Sequence, residues 1–434
     1  MAEERFTGRP PSAAVAARLP PGQHVDDGFP ILTVGPTPAI APDDWRMTID
    51  GHVDAPVELT LADLRALPRS EYRGDIHCVT AWSKLDTSFT GVSVDALLDR
   101  VTLRPGATHA IARSYGGYTT NLPLGDLRGG RAWVVWEHEG RPLARAHGGP
   151  VRLLVPHRYL WKSAKWLAGL RVLDRDEPGF HERHGYHNDG DPWREERYSI
   201  PRERREWQTA TVVATRRESA AARTLRLAPA TPAAHVPGQH YDVRLSAPGG
   251  YTAERSYSAA SSPLDGDWVE ITVDRLEDGE VSPHLHDHVV PGDRIEVRGP
   301  VGNYFTWRGQ APLLLVGGGS GVVPLMAMLR HARHVAPSLD VHLLYSVRAP
   351  EDLLYRDELG AETTVTYTRR PPPGWTGLTG RLTPDVIAAH ARPDTAAFVC
   401  GSHGFVDSAA QALAGLGLDW ERIRTERWGP AGPD

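Results

Sequence analysis

The stretch Leu313–Pro324 reads Leu-Leu-Leu-Val-Gly-Gly-Gly-Ser-Gly-Val-Val-Pro, an apolar run of strand length that meets Gly317, Gly318, Gly319 and Gly321. A short continuous apolar run of this kind suits a strand buried on both faces, as in a parallel sheet. Val323–His334 then suits a helix, and Val341–Ser346 a second strand. Glycines between a buried strand and a helix let the backbone approach a pyrophosphate, and the helix start offers amide donors and a partial positive charge. Without a ligand, the same turn is simply a tight connection. Further on, Phe398-Val399-Cys400-Gly401-Ser402 is another buried strand running into a turn. It sets Cys400 at the carboxyl edge, where ligands sit in open parallel sheets. A free cysteine is otherwise most often an ordinary buried thiol.

That α/β region is only the last part of a chain of 434 residues, a length that suits two or three domains. Before it, strand-like runs at Gln208–Thr215, Thr224–Leu227, Tyr241–Leu245, Trp268–Val273 and Arg294–Val297 are separated by Pro-Gly turns at 237–238 and 291–292. Short strands at near-regular spacing predict a small antiparallel barrel. From Phe29 to about Val172, runs such as Trp45–Gly51 and Ala132–Trp136 alternate with turns. Thr60–Leu67 carries helix signals there, with Thr60 as cap, Asp63 in the first turn and Pro68 as the stop. The expected layout is multidomain: a loose leader over 1–28, an α+β domain over 29–200, a linker at 201–206, an antiparallel β-barrel over 207–309 and an α/β parallel-sheet domain over 310–434. The polar run His181–Arg205 reads as an extended tail and linker.

Composition removes several classes. Two cysteines exclude a disulfide scaffold, a four-thiolate zinc site and an iron–sulfur cluster held by this chain alone. A net charge of −6 carries no nucleic-acid signature. No apolar run approaches membrane-spanning length, and Met-Ala-Glu-Glu-Arg-Phe has neither the charge nor the apolar core of a secretory signal. The expectation is a cytoplasmic chain with reduced thiols and neither nucleic acid nor membrane as a partner. Of 48 Lys+Arg only three are lysine, Lys84, Lys162 and Lys165, a ratio that codon bias towards Arg explains.

Residues 207–428 resemble the ferredoxin–NADP reductase family. Arg255-Ser256-Tyr257-Ser258 matches its flavin motif. Gly279-Glu280-Val281-Ser282, Gly299-Pro300-Val301-Gly302-Asn303-Tyr304-Phe305, the Gly-rich turn, Cys400-Gly401 and Glu426-Arg427-Trp428 follow in the family's order. The resemblance implies that the barrel binds FAD and the α/β domain NAD(P)H. Arg255 pairs with the flavin phosphate, which suits a planar bidentate donor. Tyr257 stacks on the isoalloxazine, Ser258 bonds near its reactive nitrogen, and Val281 and Ser282 hold the diphosphate. Cys400 and Glu426 flank nicotinamide and flavin, and Trp428 covers the ring face. Ser346 and Arg348 follow the second strand where the adenosine ribose would lie. Arg348 either accepts a 2′-phosphate, favouring NADPH, or is a solvated surface charge.

The other cysteine lies in Asp75-Ile76-His77-Cys78-Val79-Thr80-Ala81-Trp82-Ser83-Lys84. Taken alone, a cysteine beside a histidine is a nucleophile, a soft metal ligand or a buried thiol. Residues 29–200 resemble the sulfite-oxidase-type molybdopterin domain, nearest a bacterial branch related to the catalytic subunit of methionine sulfoxide reductases. Supporting blocks are Tyr118-Thr119-Thr120-Asn121-Leu122-Pro123, His147-Gly148-Gly149-Pro150-Val151-Arg152 and Trp161-Lys162-Ser163-Ala164-Lys165-Trp166. The resemblance implies that Cys78 ligates molybdenum and that His147, Arg152, Ser163 and Lys165 hold the pterin and its phosphate. Animal sulfite oxidases have an Arg-rich string after the cysteine, where this chain has Trp82-Ser83-Lys84. Lys84 is placed either to contact an oxyanion or on the surface.

The expected function is electron transfer from NAD(P)H through FAD to a molybdenum–molybdopterin centre that reduces a small oxo-substrate. Candidates are an S- or N-oxide, nitrate or a similar oxyanion, a plan that resembles assimilatory nitrate reductase without its haem module. Two alternatives stand beside it. One is sulfite-oxidase-like oxidation with electrons leaving through FAD. The other is a flavin reductase serving an external electron acceptor, with the first half an interaction module. His181, His184 and His187 with Asp189 and Asp191, and His284, His286 and His288, are read as linker and helix residues rather than metal sites.

Overall fold

The computed structural model describes residues 5–199 and 206–428; apart from Glu206, the expected linker 201–206 lies outside the described residues. The chain divides into two compact units, one of Pro11–Ile31 and Thr37–Ser199, the other of Met1–Pro10, Leu32–Pro36 and Ile200–Asp434.

The first unit has two sheets around one core. A six-stranded sheet contains the hairpin of β1 (Ser70–His77) and β2 (Trp82–Ser93), and a five-stranded sheet contains Arg46–Gly51 beside Leu167–Leu173. Trp45, Leu64, Leu97, Val134, Leu153 and Leu170 fill the space between them. The helix predicted at Thr60–Leu67 forms over Leu61–Arg65. Thr60 and Asp63 close a reciprocal capping box, which satisfies two amides that a helix start otherwise leaves unpaired.

The second unit holds the barrel and the α/β domain. Six antiparallel strands make the barrel, among them β3 (Thr252–Ser258), and a bridge from Ala259 to Ile271 joins its two ends. Its one helix among the described residues is α1 (Val281–Asp287). In the α/β domain β4 (Leu313–Gly318) leads through a 3-10 turn into α2 (Val322–Val335), followed by β5 (Val341–Val347), β6 (Ala396–Ser402) and β7 (Ile423–Trp428). All strands of this six-stranded sheet are parallel, with β4 between β5 and β6 and β7 beyond β6. Leu313 and Leu315 pack with α2 in one core, and Leu314 and Val316 with the helix His403–Gly415 in another. The unbroken apolar run of β4 reflects this burial on both faces. Chain order reverses between β4 and β6, so their carboxyl ends open the crevice where such sheets bind ligands.

Side chains lock the α/β domain to the barrel. Arg330 on α2 donates to Glu358 at 2.6 and 2.7 Å, to Glu270 at 3.1 Å and to the Ala260 carbonyl at 2.8 Å, while the Tyr355 and Thr272 hydroxyls lie 2.5 Å apart.

Two expectations fail here. The described part of the first 28 residues, 5–28, is not a loose leader. Phe6 is buried in the barrel core, and His24–Val25 pairs with β2. Their sequence lacks periodicity because each short piece packs on a different surface. The described part of His181–Arg205 is not an extended tail either. Tyr186 and Tyr198 bridge, His181 is held by Tyr118, and Arg197 is buried, so isolated aromatic anchors rather than an apolar stripe fix this segment.

Candidate functional site

In the first unit β1 ends at His77, and the chain turns over Cys78–Ala81 before β2 begins. The Cys78 amide donates to the Trp82 carbonyl at 2.8 Å, and the Ala81 amide to the Cys78 carbonyl at 3.2 Å. Ala81 takes φ +69°, an uncommon conformation for a residue with a Cβ, costing about 1 kcal/mol. The turn buries Cys78, with Sγ 3.2 Å from Thr80 Oγ1. Burial pushes the thiol's pKa up, against the Thr80 hydrogen bonds and the charges of Lys165 and Arg197.

The residues expected to hold the pterin come together next to it. Arg152, 2% exposed, donates to the carbonyls of His147 and Ser163, both at 2.9 Å. Ser163 Oγ accepts the Val155 amide at 2.8 Å, and Lys165 Nζ donates to the Ala146 carbonyl at 2.8 Å. Burial lowers the Arg152 pKa to about 10, against the opposing pull of Cys78 and Tyr118. Arg152 therefore ties the His147 and Ser163 loops together as well as placing positive charge near Cys78. The fit to a molybdopterin centre rests on this donor set: one buried soft sulfur, with cations placed for an anionic group.

Several side chains at this site escaped the sequence reading. Gln23 Nε2 donates to the Cys78 carbonyl at 2.9 Å, Ser83 Oγ donates to Gln23 Oε1 at 3.1 Å, and His77 Nδ1 lies 2.8 Å from Ser83 Oγ. Arg197, from the supposed tail, is buried within electrostatic reach of Cys78 and donates to the Pro21 carbonyl at 3.3 Å. Tyr118 donates to the Trp161 carbonyl at 2.5 Å and lies 3.0 Å from His181 Nδ1. Burial holds that histidine neutral, with its pKa down at about 3. Lys162, without a role in the sequence, is 1% exposed and donates to Glu182 at 2.7 Å and to Asn121 Oδ1 at 2.7 Å. Lys84 is not a surface lysine. It is buried, donates to the Asp27 carbonyl at 3.0 Å and lies 3.5 Å from Glu139.

Of the discounted histidines, His187 comes together with Asp189 and Glu196, their ligand atoms within 4.8 Å of one another. Local bonds use these groups: His187 Nδ1 accepts the Asp189 amide and Glu196 the Asp191 amide, both at 3.1 Å.

In the second unit, Arg255 and Tyr257 lie two residues apart on β3 and so share a face. The Arg255 guanidinium donates to the Glu254 carbonyl at 2.7 Å, and its charge reaches the phenols of Tyr251 and Tyr257. Ser256 turns the other way and donates to buried Asp242 at 2.6 Å, a carboxylate that also holds Arg298 at 2.9 Å. Ser258 ends β3 opposite His240. Val281 starts α1 with its side chain in the barrel core, while Ser282 Oγ accepts the Leu276 amide at 3.2 Å and closes the turn before the helix. The Arg255–Tyr257 face fits a flavin, offering one cation and one aromatic ring.

At the crevice Gly321 has no room for a side chain, since a Cβ there would sit 2.3 Å from the Cys400 carbonyl oxygen. This glycine brings α2 against β6 whether or not a dinucleotide is bound. Cys400 and Glu426 are register partners on β6 and β7, with Sγ 4.0 Å from Oε2. Burial raises the Glu426 pKa to about 7, and burial with Glu426 beside it drives the Cys400 thiol far up. Gly401 and Trp428 are at the same edge. Trp428 is 39% exposed, 3.9 Å from where a Cβ of Gly319 would lie. Ser346 is buried opposite Gly318, whereas the Arg348 side chain is exposed and its carbonyl accepts the amides of Arg369 and Arg370, both at 3.0 Å. Arg427 donates to the carbonyls of Thr33 and, at 3.1 Å, of Gly35, fastening β7 to Leu32–Pro36.

Residues 34–181 match the family described as oxidoreductase molybdopterin binding domain, 209–306 the oxidoreductase FAD-binding domain and 315–411 the oxidoreductase NAD-binding domain. The uncharacterized oxidoreductase YuiH of Bacillus subtilis (strain 168) is 39% identical over 45% of this chain and 98% of its own length. Ferredoxin–NADP reductase B of Sorangium cellulosum (strain So ce56) is 31% identical over 44% of this chain and 84% of its own length. The reductase component of propane 2-monooxygenase from Rhodococcus jostii (strain RHA1) is 31% identical over 46% of this chain, which spans only 58% of that relative. Two oxidoreductase families thus meet end to end in one polypeptide, and the chain belongs to both, as a fusion of a molybdopterin-binding oxidoreductase domain with an FAD- and NAD-binding reductase module of the ferredoxin–NADP reductase type.

Proposed function

We propose that the protein is an NAD(P)H-dependent, flavin-containing molybdopterin oxidoreductase that reduces a small oxo-substrate such as an S- or N-oxide, nitrate or a similar oxyanion. When bound, the nicotinamide would supply a hydride, the flavin would divide it into single electrons, and the molybdenum centre would supply the two-electron reduction, with two protons taken up and the substrate's oxygen released as water. Cys78 is the metal ligand, and His147, Arg152, Ser163 and Lys165 position the pterin. Arg255, Tyr257 and Ser258 position the flavin together with the 279–282 turn. Cys400 and Glu426 flank the nicotinamide at the β6–β7 edge, and Glu426 has the proton affinity to exchange a proton near neutral pH. Trp428 covers the ring face, and Ser346 and Arg348 receive the adenosine ribose and favour NADPH. Two free thiols suit a cytoplasmic protein, and among the described residues no helix is long and apolar enough to cross a membrane.

One observation carries this reading: a single buried thiol near buried cations lies in the molybdopterin-binding domain of a chain that also contains its own flavin and nicotinamide module. The test is a screen of S-oxides, N-oxides and oxyanions against the NADPH-reduced protein, followed by flavin reoxidation. Rapid reoxidation by one class identifies the substrate. Purified protein that holds flavin but no molybdenum contradicts the proposal.

A second reading is favoured by the reductase-component relatives: electrons leave the flavin for an external acceptor protein. Turnover of the physiological acceptor that survives Cys78→Ala would establish it.

A further inference from the structure

We propose that Arg5–Arg9, near the start of the chain and far in sequence from the barrel, form a clasp on the flavin site that holds the 279–282 turn in its FAD-binding form. The inference rests on the reading that this turn contacts the flavin diphosphate. Phe6, 3% exposed, inserts into the barrel core with Val281 and Leu285, and its ring meets His284 edge-on at 5.3 Å. On one side Arg5 pairs with Asp293, which itself accepts the Val290 amide at 2.9 Å just after α1. On the other, the Arg9 amide donates to Glu280 Oε2 at 3.1 Å and its guanidinium to the Asp278 carbonyl at 3.3 Å. Tyr251 completes the contact by donating to the same Glu280 carboxylate at 2.9 Å.

The clasp therefore touches both ends of the segment that would meet the diphosphate, and Arg255 lies near enough for its charge to act on Tyr251. Gly8 makes the path sterically possible: at φ +64° a Cβ there would lie 2.4 Å from the Tyr251 ring. A short turn and a helix of two turns carry little stability alone, so an external anchor decides how much of the time they hold a ligand-ready shape. A turn that must order on binding weakens apparent affinity in proportion to the fraction not preformed. The FAD-binding family match begins at residue 209, so this contribution comes from outside it.

The test titrates the full-length, flavin-stripped protein with FAD and follows quenching of flavin fluorescence. Two variants are compared with the wild type: Gly8→Val, which drives a side chain into Tyr251, and Arg9→Pro, which removes both the amide that bonds Glu280 and the guanidinium that bonds the Asp278 carbonyl. The expected result is a Kd for FAD raised at least tenfold in Gly8→Val and more than threefold in Arg9→Pro. Near-UV circular dichroism establishes that each apoprotein is folded, and either variant alone decides if the other is not. A Kd within twofold of wild type in a folded variant overturns the clasp while leaving the flavin site standing. A wild-type chain that binds no FAD overturns the flavin reading and the clasp with it.

Discussion

Cys78 and Cys400 share an amino acid and a depth of burial but not an electrostatic setting. Burial raises both thiols. Around Cys78 the charges of Lys165 and Arg197 act against that rise, whereas beside Cys400 the Glu426 carboxyl adds to it and outweighs the opposing charge of Arg427. The first setting still favours the neutral thiol, but its cations ease loss of the proton to a metal, which sulfur binds as thiolate. The second keeps a neutral thiol next to a carboxyl that is itself protonated for much of the physiological range, a setting suited to an uncharged ring and a hydride.

The strongest way to break this contrast is Cys78→Ser. A hydroxyl is a hard and weakly acidic ligand, so oxo-substrate turnover should fall at least 1000-fold, or about 4 kcal/mol, while NADPH-driven dye reduction continues. Steady-state assays of both activities check this, and equal loss of the two would show that the cysteines are not functionally separate.

Lys162→Met comes next. It would leave Glu182 buried without its cation, at a cost of about 3 kcal/mol. Differential scanning calorimetry should show the first unit melting earlier and the reductase unit unchanged. A shift in both would contradict the independence of their cores.

Glu426→Gln sharpens the comparison through pH. The carboxyl's pKa is about 7 in the folded protein against an ordinary 4.5, so the native state binds the proton more tightly than the unfolded chain. Its stabilising contribution is complete below pH 4.5 and is lost as pH rises through 7. Glutamine keeps the neutral form. Melting curves should therefore agree at low pH and separate between pH 4.5 and 7, the variant being more stable above that by about 3 kcal/mol. Its dye reduction should also lose any inflection near pH 7, and an unchanged pH profile would remove Glu426 from the nicotinamide site.

The smallest effect is expected for Arg348→Ala, a solvent-exposed position. Its kcat/KM for NADPH should fall about tenfold with little change for NADH, and equal changes for both would make Arg348 a surface charge.

The reductase half was the more legible in sequence. β4 and its glycines announce themselves because a strand buried on both faces must be apolar throughout, and the turn after it cannot carry a Cβ at Gly321. Cys78 was legible as one of three things until the resemblance favoured a metal. What escaped was long-range and polar. Gln23 bonds the Cys78 carbonyl across more than fifty residues, Arg197 reaches the site from a run with few apolar residues, and Phe6 enters the core of a barrel that begins some two hundred residues later. None of these has a period or a spacing, because a single anchor residue leaves no pattern in its neighbours. Lys84 misled for the opposite reason: closeness to Cys78 in sequence put it on β2, where the strand's course directs its ammonium to Asp27 and Glu139.

In the proposed function, electrons from the nicotinamide reach the metal through the flavin of the same chain. Anaerobic mixing of the purified, metal-loaded protein with NADPH tests it most directly, with flavin absorbance followed by stopped flow and the molybdenum by electron paramagnetic resonance of samples frozen at matched times. The flavin should bleach, and a paramagnetic molybdenum signal should follow that disappears when the oxo-substrate is added. A flavin that bleaches fully while the molybdenum stays oxidised would contradict it.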